Sequence, residues 1–273
     1  MTEFSVPTLS IAFMWLTAVV SIGFPLGLLG YMYFKSRAVL VPAIIGVGVY
    51  FLFSTPVQQI VNSLIIGGLG LQETLEANPF LYALYDSFLF ALCVTIGTFF
   101  AIKAYGTEKT DAKSAMMFAI GFAGSESVWL AGIPQISAAL RCQAFNQLGA
   151  TAAVEGMTEA DASATLESMR FIAELSSTTY LAGAFERVIA LLVYIGVILI
   201  VWLAASNRAT AFEAILSCLL LVVFALPARL YSLGVIGSYL VADLVLGLIA
   251  ALIVFASYVA YHRHKRRSDK IFE

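Results

Sequence analysis

Seven stretches of this chain stay apolar for about 20 residues or more, the length that crosses a bilayer as a helix. They run roughly over 8–34, 40–66, 80–104, 114–140, 179–205, 210–227 and 235–260, and the sixth is the shortest. Hydrocarbon offers no partner to a backbone N–H or C=O, so only helices and closed barrels span it. The apolar pattern here is helical, and no alternating ten-residue segments suggest a barrel. The expected fold class is therefore all-α: a polytopic transmembrane helix bundle of about seven spans, forming a single transmembrane domain over 1–273. Composition agrees, because 61% hydrophobic and 12% charged residues exclude a soluble domain of this length.

Net charge is −2, so the total says little about partners and the distribution says more. With the N-terminus outside, the inner side receives Lys35, Arg37, Lys103, Lys109, Lys113, Arg208 and the tail cations Arg263, Lys265, Arg266, Arg267 and Lys270. The outer side receives only Arg141, Arg170 and Arg229. That asymmetry fits the positive-inside rule. It predicts an integral protein of the plasma membrane, N-terminus out and C-terminus cytoplasmic. The start, MTEFSVP, carries Glu3 and no basic segment, so the first span is expected to stay as a signal anchor.

One connection is long. The segment 141–178 is polar and acidic and reads as an outer loop. Thr158 opens T-E-A-D, a capping-box-like start with Asp161 in place of Glu or Gln, and a short helix over about 159–174 is expected to follow. Its roles divide between a solvated cap and a lid or docking surface. The basic cytoplasmic tail, 261–273, is attracted to anionic lipid and fixes topology. Cys93, Cys142 and Cys218 form no CxxC and read as small buried hydrophobes. His262 and His264 are two apart and share no helical face, which argues against a metal site there.

Three charges lie inside apolar runs: Glu126, Glu186 and Arg187. Such a charge is expensive in lipid and marks a site by default. Small residues and hydroxyls crowd Glu126, which suits either a tight helix contact with a satisfied carboxyl group or a general base. Glu186 and Arg187 are adjacent, so they point about 100° apart on a helix. They are expected to need partners on neighbouring helices, and Asp86 and Asp243 lie at similar depth. Arg187 is expected to bond at least one carboxylate among Asp86, Glu186 and Asp243. No span contains histidine. That removes His-ligated zinc and any Ser–His or Cys–His pair from the membrane. Asp86 and Asp243 lack the glycine-containing surroundings of presenilin-type aspartyl proteases.

Four segments carry a family resemblance. They are NPFLYALYDSFLFALCVTIGTFFAIKAYG, DAKSAMMFAIGFAGSESVWLAG, FERVIALLVYIGVILIVW and LLLVVFALPARLY. In order and spacing, from about 78 to 232, they resemble the YhfC-type membrane peptidases. Those belong with the glutamic-type intramembrane proteases related to CAAX prenyl proteases and PrsW. The resemblance implies a CAAX-protease-like core. It also implies a degenerate centre. The family's paired glutamates fall on Val94 and Thr95 and its arginine on Thr98. Its first histidine falls on Phe122, the histidine after Glu-Arg on Tyr194, and the last histidine and its aspartate on Leu221 and Ala225. Gly97, Gly121, Gly124, Glu126, Glu186, Arg187, Pro227 and Ala228 are kept. A general base must be titratable and within reach of the water it activates, and none of the replacements serves near neutral pH.

The sequence therefore reads as a YhfC-like membrane protein without protease activity, a noncatalytic scaffold for another membrane protein or membrane peptide. The noncatalytic scaffold subunit of gamma-secretase is a parallel. One alternative is an active intramembrane protease using Glu126 or Glu186. Another is a small proton-coupled transporter. No cofactor, metal or nucleic-acid partner is expected. The vacant positions Val94, Thr95, Phe122, Tyr194 and Leu221 are expected to line a cavity wall near Glu126.

Overall fold

The computed structural model describes residues 4–106, 111–206 and 211–269. Lys109, Arg208 and Lys270 lie outside them, and the side chains of Arg263, Lys265, Arg266 and Arg267 are likewise outside the described set. The helices are α1 (Thr8–Phe34), α2 (Val41–Leu52), α3 (Gln58–Leu69), α4 (Gln72–Glu76), α5 (Pro79–Tyr105) and α6 (Ala112–Ser127). They continue with α7 (Ile133–Ala153), α8 (Glu159–Glu174), α9 (Ser177–Ala205), α10 (Ala211–Ser232) and α11 (Tyr239–Asp269). Among the described residues there is no strand. Seven helical stretches are long and apolar enough to cross a membrane, and the chain is an all-α integral membrane protein.

Two of the seven spans are interrupted. A π-turn at Phe53–Val57 joins α2 to α3, and another at Val128–Gly132 joins α6 to α7. Pro56 sits in the first and Pro134 just after the second. Proline has no N–H for the carbonyl one turn back. A local π adjustment lets a later N–H take that carbonyl, as the interior of a membrane requires.

The chain divides into two compact units, each built from two separate segments. The first takes the chain up to Phe24 and Glu126–Val188. Its core holds Val6, Ile11, Met14, Ala139, Cys142, Phe145 and Met169. The start of the chain is tied down there: Asn146 accepts from the Val6 N–H at 2.9 Å and donates to the Val6 carbonyl at 2.8 Å. Hydroxyls join α1 to α9. Ser10 and Ser177 lie 2.8 Å apart, and Thr17 Oγ1 donates to the Tyr180 carbonyl at 2.5 Å.

The segment expected as an outer loop is largely helical. α7 continues through Ala153, with Gly149 out of helical geometry at φ 80°. α8 then spans Glu159–Glu174, as its cap predicts. Thr158 Oγ1 accepts from the Asp161 N–H at 3.2 Å. In the full motif the N3 side chain reaches back to the cap N–H; here the shorter Asp161 carboxylate instead accepts from the Thr158 hydroxyl at 2.7 Å.

The second unit takes Pro25–Ser125 and the chain from Ile189 onward. Within it α2 and α6 meet backbone to backbone. A Cβ on Gly46 would stand 2.9 Å from the Phe122 nitrogen, and one on Gly121 would stand 2.7 Å from the Ala43 carbonyl carbon. Glycine at both positions is what permits that approach. Gly97 on α5 is covered by the Phe53 ring, whose Cδ2 would lie 2.7 Å from an added Cβ. α5 begins at Pro79 behind Asn78, whose side chain accepts from the Leu81 N–H at 3.1 Å. Its longest partner is α10.

Candidate functional site

The three intramembrane charges fall in the first unit. Glu126 is the penultimate residue of α6, buried, immediately ahead of the π-turn. One of the hydroxyls beside it is committed to its own helix, because Ser125 donates to the Gly121 carbonyl at 2.8 Å. On α9, Arg187 Nη2 lies 3.7 Å from Glu186 Oε2, and each side chain is 23% exposed. Arg187 thus has a carboxylate within reach, as expected, but it is the adjacent one. Neighbouring residues on a helix diverge by about 100° at the backbone. An arginine side chain is long enough to fold back across that angle.

Asp86 is engaged elsewhere. In the second unit Arg229 Nε donates to Asp86 Oδ2 at 2.7 Å, and Gln58 Nε2 donates to Asp86 Oδ1 at 3.3 Å. Beside this pair Tyr85 Oη donates to Asn62 Oδ1 at 3.0 Å. α3, α5 and α10 are therefore linked by a polar cluster in which Arg229 is a surface cation and Asp86 its anchor. Sequence reasoning missed this pairing; the signal available was the arginine in the last turn of α10, where the helix dipole also favours it.

The positions on which the resemblance places the family's catalytic residues lie in the second unit. Val94, Thr95 and Thr98 are buried on α5, Phe122 on α6, Tyr194 on α9 and Leu221 on α10, while Ala225 is half-buried. An aromatic row connects four helices. The Tyr50 and Phe122 rings are 5.6 Å apart, Phe122 and Tyr194 5.4 Å, and Tyr194 and Phe224 6.2 Å. These are ordinary edge-on and tilted separations for packed rings. Thr95 on α5 lies against Cys218 on α10. Tyr50, Phe224 and Cys218 carried no sequence signal for this role.

Phe122, Leu221 and Thr98 are 0% exposed, so no water-sized probe reaches them. The side chains at these positions are mostly large, apolar or aromatic, and buried. The donor chemistry points the same way. Hydrolytic zinc takes histidine, carboxylate or thiolate ligands. Valine, phenylalanine, leucine and alanine supply no donor, and two threonine hydroxyls and one phenol do not make that set. Among the described residues no three His, Cys, Asp or Glu side chains gather into a group that could hold a metal ion. The residues at these positions do not fit a catalytic metal.

The kept glycines have packing reasons. Gly121 meets Ala43, Gly97 meets Phe53, and a Cβ on Gly124 would lie 3.0 Å from the Pro25 Cβ. Each of them lets a neighbouring element come close.

Comparison with known proteins locates this architecture. The sequence model described as YhfC intramembrane metalloprotease matches residues 19–246. The chain is 24% identical over 251 residues to the uncharacterized membrane protein YhfC of Bacillus subtilis (strain 168), covering 90% of this chain and 94% of that one. No solved structure matches.

Proposed function

The chain belongs to the YhfC intramembrane metalloprotease family, and from that premise we propose that it is a noncatalytic member: a membrane scaffold that binds another membrane protein or a membrane peptide. One observation carries the reading. Where the family resemblance places water-activating and metal-binding side chains, Phe122, Tyr194 and Leu221 are buried. Intramembrane proteolysis needs water, a group to activate it, and room for a peptide bond. A fully buried phenylalanine packed between two tyrosines offers none of these. The bundle, its close glycine contacts and its Glu186–Arg187 pair suit a binding role.

Two measurements test this together. Recovery of the protein from native membrane in mild detergent, followed by mass spectrometry, should return a stoichiometric membrane partner. The purified protein should cleave no transmembrane peptide between about pH 5 and 9, a range covering ordinary and raised carboxylate pKa values. Cleavage that disappears in Glu126→Gln or Glu186→Gln would restore the protease. Proton-linked uptake in vesicles that depends on the same carboxylates would replace the scaffold by a transporter.

A further inference from the structure

In the first unit, residues 4–6 precede α1 as a non-helical segment and pack against α7 and α8. Asn146 on α7 holds both backbone polar groups of one residue: it accepts from the Val6 N–H at 2.9 Å and donates to the Val6 carbonyl at 2.8 Å. The Val6 side chain is 1% exposed, in the core that contains Phe145 and Met169. Two residues earlier the Phe4 ring lies 5.1 Å from the Phe145 ring, and the Arg170 guanidinium on α8 stands 5.6 Å from the Phe4 centroid. Ser5, between them, is exposed. Inward side chains at 4 and 6 with 5 outward is the alternation of an extended chain. α1 is held separately. It begins at Thr8, behind Pro7, and bonds α9 through Ser10 to Ser177 and through Thr17 to the Tyr180 carbonyl. Release of residues 4–6 leaves those bonds in place.

We propose that the cradle formed by Phe145, Asn146 and Arg170 is the partner site, that residues 4–6 close it in cis, and that its ligand is an extended segment of a membrane protein with an aromatic residue two positions before a β-branched one. This deepens the binding role proposed above and rests on it. The segment already seated there defines what fits. Asn146 bonds the main chain of Val6, so any residue with a free N–H and C=O can take its place. Arg170 offers a cation to a ring face and Phe145 offers an aromatic neighbour, which selects an aromatic side chain. The buried position admits an apolar side chain and penalises a charge. Main-chain bonds supply affinity and alternate side chains supply specificity, as where an extended peptide adds to a sheet edge. A helical ligand does not fit, because its N–H and C=O groups are bonded along its own axis. Tethered to α1, residues 4–6 compete at an effective concentration on the order of millimolar. The site therefore opens only to a ligand that the membrane itself concentrates.

The test uses the full chain with a fluorophore on Ser5→Cys, an exposed position; the native Cys93, Cys142 and Cys218 are buried. The probes are the acetylated peptide Phe-Ser-Val-Pro-Thr and the same peptide methylated on the valine nitrogen. The first should free the label, read as a fall in anisotropy, with a midpoint on the order of millimolar. The second should not, because it has no N–H for Asn146. Phe4→Ala removes the ring contacts of the tethered segment and should lower the midpoint on the order of ten-fold. Asn146→Leu should leave the label mobile from the start and unresponsive to peptide. The methylated peptide keeps the proposal falsifiable if Asn146→Leu fails to fold, since it leaves the protein interior untouched. Equal release by both peptides, no release well above the expected midpoint, or a Phe4→Ala midpoint at or above the parent's would each overturn the site, and leave the noncatalytic reading to its own tests. Release followed by recovery of cut peptide would uphold the site and refute that reading.

Discussion

Gly121→Ala and Gly48→Ala are chemically the same substitution in two helices of the second unit, and the structure assigns them opposite signs. At Gly48 an added Cβ finds nothing within 4 Å. At Gly121 it would stand 2.7 Å from the Ala43 carbonyl carbon and 2.8 Å from the Ala43 Cα, both backbone atoms of α2. A flexible side chain could swing aside; a helix backbone must move as a body, and Gly46 against Phe122 holds the same two helices together. Overpacking of this kind costs up to about 3 kcal/mol. Both variants gain about 1 kcal/mol from replacing glycine by alanine in a helix, and both restrict the unfolded chain equally. Gly48→Ala should therefore be neutral to about 1 kcal/mol stabilising, and Gly121→Ala about 2 kcal/mol destabilising. At roughly 2–4 °C per kcal/mol for a chain of this size, their melting temperatures in detergent should differ by roughly 5–10 °C. Gly124→Ala, whose Cβ would meet the Pro25 Cβ at 3.0 Å, should fall between. A Gly121→Ala protein at least as stable as the parent, or an equal loss at Gly48, would refute the backbone contact between α2 and α6.

Further predictions follow from the charges. Arg229→Leu removes the 2.7 Å partner of Asp86, and with Arg229 45% exposed the loss should be about 1 kcal/mol, read as a small drop in melting temperature. Arg187→Leu breaks a longer 3.7 Å pair and should cost less; the reverse order would show that Glu186–Arg187 is the structural pair. For orientation, an impermeant thiol reagent should label Ala160→Cys in intact cells and Ser268→Cys only after lysis, and the opposite pattern would invert the proposed topology.

The seven spans were legible in the sequence because backbone chemistry in hydrocarbon admits one solution per long apolar run. The α8 helix was legible from the capping-box-like start at Thr158 and Asp161. The extension of α7 through Ala153 was not, since RCQAFNQLGATAA is polar enough to suggest a loop although alanine, glutamine and leucine are strong helix formers. Pro56 and Pro134 announced irregularities but not their π form. Pairing was the weakest inference: nothing in one dimension shows that Arg229, rather than Arg187, reaches Asp86. Phe122 and Tyr194 could be named as vacant positions, whereas Tyr50 and Phe224, which complete the aromatic row, look like any other aromatic residues of a span.

The hydroxyls of α1 also set a schedule for biosynthesis. Asn146 closes on Val6 across 140 residues, Ser177 on Ser10 across 167, and the Tyr180 carbonyl on Thr17 across 163. A ribosome adds about 5–20 residues per second. About 10–30 s therefore separate the synthesis of Thr17 from that of the Tyr180 carbonyl that accepts its hydrogen bond. During that interval Ser10 lacks its hydroxyl partner, and insertion chaperones or lipid headgroups have first access to it. A pause or truncation before residue 180 would leave the N-terminal half of α1 as a hydroxyl-bearing helix without its mate, the kind of segment membrane quality control removes.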